Sequence, residues 1–321
     1  MALTESELIT RYFRACGAQR RDVALGVGDD AAVLECPPGA QLVAATDTLV
    51  AGVHFPPSVP AAAVGHRALA VNLSDLAAMG ARPAWALLAL TLPEANEQWL
   101  TEFATGLSDL ARAHDVALVG GDTTRGPLTV TVQLLGHVPQ GRALTRAGGG
   151  PGDLLFVSGS PGDAGAGLAI EQGRLSAPPA AAHYLRERFL LPTPRVALGE
   201  RLRDYARACI DVSDGLLGDA AKLAAASGAG LEISFAELPV SRELVAVLGP
   251  DAARALALTG GDDYELVFAV EPARAAELER ALPAQEWNYR QIGALCATRG
   301  AVVRRDGTVM EFSHSGYQHF G

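Results

Sequence analysis

PAAAVGHRALAVNLSDLAAMGARPAWALLALTL, residues 60–92, is the stretch on which the fold turns. Residues 60–79 are small and apolar on nearly every face, which predicts a long, mostly buried helix stopped at Gly80. AWALLALTL (84–92) predicts a buried strand closed by Pro93. Outward from there the alternation repeats. A helix opens the chain over 4–16, where Thr4 and Glu7 can form a capping box. Short strands follow at 31–35 and 41–46. An amphipathic helix covers 96–113, and DVALVGGDTTRGPLTVTVQLLGHV (115–138) reads as strand, glycine-rich turn, strand. Gly and Pro crowd into PQGRALTRAGGGPGD (139–153), which marks the boundary between a domain over 1–140 and another over 148–321. The second domain repeats the mixture: a strand at DLLFVSGS, a helix from SPGDAGAGLAI, a helix over 195–207, strand–acidic turn–helix in RACIDVSDGLLGDAAKLAAAS, and a strand at YELVFAV. The expected class is therefore two α/β or α+β domains.

Composition narrows the function. Of 321 residues 49% are hydrophobic, enough for sizeable cores. The net charge of -10 argues against nucleic acid or an anionic membrane surface as partner. The N-terminal MALTESELITRYF carries acids and lacks a basic stretch leading into an apolar run, so it does not read as a secretion signal. No apolar stretch approaches the ~20 residues of a membrane helix. Cys16, Cys36, Cys209 and Cys296 are widely spaced and read as free thiols in a reducing, cytoplasmic setting. The single lysine, Lys222 in LLGDAAKLAA, lacks the flanking Gly and Ser/Thr of a phosphate-binding P-loop, and no protein-kinase motif is present.

The aspartates carry the chemistry. Asp29 and Asp30 lie in a glycine-flanked turn, and Asp47 follows the run LVAAT. Asp122 follows VALV and two glycines, Asp211 ends RACI, and Asp214 opens the next helix. Each alone is ordinary turn or capping chemistry. Asp75 differs: it interrupts an apolar helix beside Asn72, and a buried carboxylate there needs a partner. Arg67 or Arg82 is one candidate partner; a cation is the other. If several of these acids converge, two like charges 4 Å apart repel by ~4 kcal/mol at an effective dielectric of 20. Bound cations relieve this, and all-oxygen donors suit Mg²⁺ bridging substrate phosphates. The expected chemistry is metal-assisted phosphoryl transfer, with metal in the role usually given to a P-loop lysine.

GVGDDAAV, ATDTLVAGVHF, ALAVNLSDLAAMGARP, GGDTTRGP, GRALTRAG, IDVSDGL and GGDDYEL stand in the order and approximate spacing of the thiamine-monophosphate kinase family, which the chain resembles from its first helix to the final GYQHF. The resemblance implies an aminoimidazole-ribotide-synthetase-like fold, with an N-terminal domain that dimerises through its sheet and a larger C-terminal domain. It implies ATP-dependent phosphorylation of thiamine monophosphate to thiamine diphosphate, with several Mg²⁺ ions. The implied metal ligands are Asp30, Asp47, Asp75, Asp122, Asp211 and Asp214, with oxygens from Thr46 and, through its carbonyl, Ala45. Gly121, Asp122, Arg146 and Ser213 are implied ATP contacts, and His54 a contact to the substrate phosphate. Two positions depart from the family. Asp262 stands where Glu is usual as a substrate contact, and His314 stands where an aromatic commonly precedes the Gly-Tyr pair, with Tyr317 able to share that task. Direct in-line transfer needs no general base, because the attacking phosphate is already an anion. The competing readings are another ATP-using enzyme of the same superfamily, either a cyclising synthase or a selenide-activating kinase, and a non-enzymatic divalent-cation module.

Overall fold

The structure is a computed structural model that describes residues 4–312 and 316–317. It divides into two compact units: unit 1 holds Met1–Leu76 and Ala81–Arg142, and unit 2 holds Ala77–Gly80 and Ala143–Gly321.

In unit 1 the capping box is present: the Thr4 amide donates to Glu7 Oε2 at 2.8 Å and the Glu7 amide donates to Thr4 Oγ1 at 3.4 Å. The helix expected over 4–16 is shorter. Helix α1 (Glu5–Leu8) widens into a π-turn, Ile9–Phe13, closed by the Arg14 amide on the Ile9 carbonyl. Strands β1 (Val23–Leu25) and β2 (Val33–Leu34) make a small ribbon. Strands β3 (Ala40–Val50), β4 (Arg82–Leu92), β5 (Ala117–Arg125) and β6 (Thr129–Pro139) form one sheet in the order β3-β6-β4-β5. Helix α2 (Ala61–Ala78) is the predicted buried helix, and α3 (Glu97–Ala113) connects the parallel pair β4 and β5. One face of the sheet presents Leu88, Leu90, Val130, Val132 and Leu134; Leu69, Leu73, Leu76, Leu100 and Phe103 of the two helices are also fully buried. The helices cross closely because glycine sits at the crossing: a Cβ on Gly106 would lie 1.9 Å from the Ala62 carbonyl oxygen.

Three expectations need correction here. The Gly120–Gly121 pair is not a turn: β5 runs through it, and the chain reverses at 126–128. Asp47 and Asp122 lie inside strands rather than after them, paired with Val132 and Ala89 respectively. The reason is shared: backbone pairing to a neighbouring strand outweighs weak β propensity in glycine and aspartate.

Unit 2 is built on a seven-stranded sheet. Its strands are β7 (Leu154–Ser158), β8 (Ala206–Val212), β9 (Gly230–Ser234), β10 (Glu265–Val270), β11 (Tyr289–Cys296), β12 (Ala301–Arg305) and β13 (Thr308–Met310), ordered β13-β12-β9-β11-β7-β10-β8. Only β12 and β9 pair in parallel. The helices are α4 (Asp163–Glu171), α5 (Pro179–Leu190), α6 (Val196–Leu202), α7 (Leu216–Ala226), α8 (Arg242–Leu248), α9 (Pro250–Thr259), α10 (Pro272–Ala281) and α11 (Ala284–Trp287). Leu155, Val157, Ile210, Val212, Leu223, Leu231 and Val267 form one core; Ile170, Leu185 and Leu244 belong to a second. The helix expected over 195–207 ends at Leu202, and its last residues enter β8. Asp211 lies within β8, opposite Leu266 of β10, and α7 starts at Leu216, two residues beyond Asp214. Mixed helix and mostly antiparallel sheet place both units in the α+β class.

Candidate active site

Two adjoining cavities of about 750 and 600 Å³ open on unit 1, in the size range of small-ligand sites. Asp29, Asp30, Gly120, Gly121 and Asp122 line both, and Thr46 lines the smaller. Glycine at 121 is required by close packing of β5 on β4. At φ +150° it holds a conformation few side chains adopt, and a Cβ there would lie 1.8 Å from the Leu88 carbonyl oxygen. The β4–β5 register shifts just before this pair, between Ala86 and Leu87. Asp29 Oδ1 accepts the amide of the next residue, Asp30, at 2.8 Å. The carboxylates of Asp30 and Asp122 are exposed, and neither has an ion-pair or hydrogen-bond partner among the described residues. Thr46 Oγ1 donates to the Val132 carbonyl at 3.2 Å.

Register separates the acids of unit 1 into two sets. Asp122 shares the face of Ala89, Thr131 and Thr48, while Asp47 shares that of Val132 and Leu88, which is the buried face. Ala45, two residues before Asp47 in β3, lies on that same face. Asp47 there meets Asp75 of α2 in a carboxyl–carboxyl hydrogen bond. Burial pushes the Asp47 carboxyl above the ordinary range, against the opposing pull of the Asp75 contact and the nearby charge of His54. Asp75 thus faces another acid, and a carboxyl–carboxyl contact is favoured by a shared proton or a cation. His54 Nδ1 accepts the Val50 amide at 2.9 Å, so the neutral ring carries its proton on Nε2.

In unit 2 the acidic turn is organised differently. Asp214 pairs with Lys222 Nζ at 2.6 Å, and the same ammonium reaches Asp219 Oδ1 at 2.8 Å. Buried Asp219 accepts the backbone amides of Ser213, Asp214 and Gly215 on its other oxygen. Asp211 is buried, and its charge adds to the burial that raises the Cys209 thiol. Asp262 sits at φ +69°; its amide donates to the Ser213 carbonyl at 2.8 Å, and Tyr264 Oη donates to its carboxylate at 3.3 Å. Arg146 is exposed; Ser227 Oγ anchors its carbonyl at 3.0 Å, and its guanidinium has no partner among the described residues. His314 lies outside the described residues. Tyr317 is exposed, its amide donating to the Asp214 carbonyl at 2.9 Å.

Among the described residues no group of three or more His, Cys, Asp or Glu side chains forms a ready-made metal centre. The donors come in twos instead: Asp47 with Asp75, and Asp30 with Asp122 beside the cavities. Hard oxygen donors in that number fit a magnesium ion that keeps much of its water and shares phosphate oxygens.

Two features escaped the sequence. Asp219 is an acid on a largely apolar helix, as Asp75 is, with Lys222 one turn on as its sequence signal. The other is a buried network in which Glu265 meets Arg188 and Arg195 at 2.7 and 2.6 Å, Asp263 accepts the Gly162 and Ala164 amides, and Asp163 accepts from Ser241 and Tyr184. Glu265 opens an otherwise apolar strand, which was its only mark in the sequence.

Residues 28–138 match the family model "AIR synthase related protein, N-terminal domain", and residues 150–306 match "AIR synthase related protein, C-terminal domain". The thiamine-monophosphate kinase of Escherichia coli (strain K12) is 48% identical over 322 residues, covering 100% of this chain and 99% of that protein. The crystal structure of thiamine-monophosphate kinase from Stenotrophomonas maltophilia K279a superposes with a TM-score of 0.85 at 47% identity, covering 91% of this chain and 93% of the other. A structure described as "AaThiL complexed with AMPPCP and TMP" gives a TM-score of 0.77 at 34% identity, covering 92% of each chain. With its order of motifs, its two α+β units and kinship over its whole length, the chain belongs to the thiamine-monophosphate kinase family.

Proposed function

We propose that this protein phosphorylates thiamine monophosphate at the expense of ATP, giving thiamine diphosphate and ADP. The observation that carries the reading is the pair of acids, Asp30 and Asp122, set without protein partners among the described residues beside Gly121, at cavities large enough for a nucleotide. Family membership says which acceptor to expect. A terminal phosphate oxygen of thiamine monophosphate attacks the γ-phosphorus of ATP, the bond from that phosphorus to the β-phosphate oxygen breaks, and ADP leaves. The nucleophile is an anion already, so no side chain need remove a proton. The barrier is repulsion between two phosphate chains, and catalysis consists of positioning and screening them.

We assign Asp30, Asp47, Asp75 and Asp122 of unit 1, with Thr46 and the Ala45 carbonyl, to magnesium. Asp211 and Asp214 of unit 2 are further magnesium ligands on this reading. Bound magnesium supplies the positive charge that lets an acidic protein hold two polyanions. Gly121, which lines both cavities, lies at the nucleotide phosphates on this reading, and a larger residue there would push β5 off β4 and displace Asp122. Ser213 and Arg146 contact ATP, the guanidinium offering a planar fork to phosphate oxygens. His54 donates from Nε2 to the substrate phosphate, in the tautomer that the Val50 amide enforces. Asp262 and His314 are assigned to the thiamine moiety. The protein acts as a cytoplasmic homodimer on this reading. Four free cysteines, and the lack of any membrane-spanning helix among the described residues, support the compartment. Incubation with ATP, Mg²⁺ and thiamine monophosphate should yield thiamine diphosphate and ADP in equal amounts. No turnover with that pair would defeat the assignment and favour the cyclising-synthase, selenide-activating or cation-module alternatives.

A further inference from the structure

Asn72 lies one helical turn before Asp75 on α2 and is completely buried. Its Nδ2 donates to the Ala68 carbonyl at 3.1 Å, while its Oδ1 has no hydrogen-bond partner among the described residues. The orientation is not interchangeable, because a carbonyl cannot donate: the nitrogen must face Ala68, and the oxygen must face the other way. A buried amide oxygen without a donor costs about 1 to 3 kcal/mol, so its presence asks for a missing partner. Helical side chains lean toward the N-terminus, which sets the Asp75 carboxyl over the turn that carries Asn72. Asp75 in turn touches Asp47 across the α2–sheet layer.

The geometry points to Asn72 as a positioning residue for a divalent cation held by Asp47 and Asp75, its Oδ1 accepting a hydrogen bond from a water in that cation's shell. The inference rests on the magnesium reading above. A magnesium-sized ion keeps several waters, each a donor on its outer side. Two carboxylates anchor the ion, and the amide oxygen orients one water, which restricts where the remaining positions can point. The same contact satisfies the orphaned oxygen. Outer partners of this kind typically change metal affinity by about 10- to 100-fold.

The test is Mn²⁺ titration of the nucleotide-free full chain, with bound ion read by electron paramagnetic resonance and fold checked by thermal melting. Asn72→Leu is near in volume and removes the orphaned oxygen. It should weaken Mn²⁺ binding about tenfold or more while leaving the melting temperature unchanged or raised. Asn72→Asp retains an acceptor oxygen and should bind Mn²⁺ at least as tightly as the parent. Asp75→Asn should lose most of the binding. If Asp75→Asn is weak but Asn72→Leu binds as the parent does, the positioning role fails and the oxygen faces only a structural water. If the parent binds no ion, or Asp75→Asn matches it, the magnesium reading itself fails. Should Asn72→Leu not fold, Asn72→Asp decides alone: tenfold weaker binding overturns the role.

Discussion

The acids of the two units are stabilised in opposite ways. In unit 1, Asp47 meets a second carboxyl at Asp75 inside a helix–sheet layer, and Asp30 and Asp122 stand beside the cavities without partners among the described residues. In unit 2, Asp214 and Asp219 share Lys222, Asp219 collects three backbone amides, and Glu265 is clamped by two arginines. Acid against acid is a poor structural device, because proximity of like charges works against folding. Acid against base and amide holds a turn in place. The contrast is clearest between Asp47 with Asp75, where a cation is proposed, and Asp219 and Glu265, which hold the backbone in place, and mutation of each kind should fail in a different way.

The largest expected effect is on turnover. Asp75→Asn removes a proposed cation ligand and should reduce kcat/KM by about 10³-fold, a loss of several kcal/mol of charge stabilisation, while the protein stays folded. Steady-state assay alongside circular dichroism checks both halves, and near-normal turnover would erase the distinction drawn for unit 1. Asp219→Ala should do the reverse. It strands three backbone amides, that of Gly215 buried, and leaves Lys222 with Asp214 alone, so chemical denaturation should show a loss of about 2 to 4 kcal/mol.

The pH dependence tests the buried network. Burial pushes the Asp163 carboxyl up to about 6, against the Ser241 and Tyr184 hydrogen bonds and the Arg188 charge. The folded state therefore holds this proton more tightly than the unfolded chain. Its contribution to stability is complete below the ordinary value of 3.8 and is lost as pH rises through about 6, a change of about 3 kcal/mol. Denaturation midpoints of the parent and Asp163→Asn, compared between pH 4 and 7, should converge on the acid side and separate above pH 6. Parallel profiles would assign the titration elsewhere. Lys222→Met should cost only about 1 kcal/mol, because that ammonium is half exposed and screened by solvent. Last, Asp262→Glu restores the longer side chain usual in the family and should lower KM for thiamine monophosphate by a few-fold with kcat unchanged. An unchanged KM would remove Asp262 from the substrate contact.

Much of this was readable from residue order. The buried helix α2 followed from uninterrupted small apolar residues, and the capping box at Thr4 and Glu7 followed from its spacing. Asp75 stood out because a charge buried in such a helix is costly unless a partner or an ion offsets it. Other features were illegible for definite reasons. The glycine pair at 120–121 looks like a turn in one dimension, because its strand character comes from pairing with β4, a partner distant in sequence. The register that turns Asp47 inward and Asp122 outward is a property of the paired sheet. Asp219 has its partners close by in sequence, Lys222 at i+3 and the turn just before α7, whereas Glu265 is clamped by Arg188 and Arg195, some seventy residues away, which no local pattern announces.

By itself the sequence determined the alternation of helix and strand, the acidic and lysine-poor chemistry, and the motifs of the family, because these depend on residue type and short spacing. Tertiary structure alone decided which acid faces another acid and which faces a base, and that Asn72 keeps a buried oxygen without a donor. Electrostatic partnership falls off over a few ångströms, and such distances between residues remote in sequence are set only when the layers close.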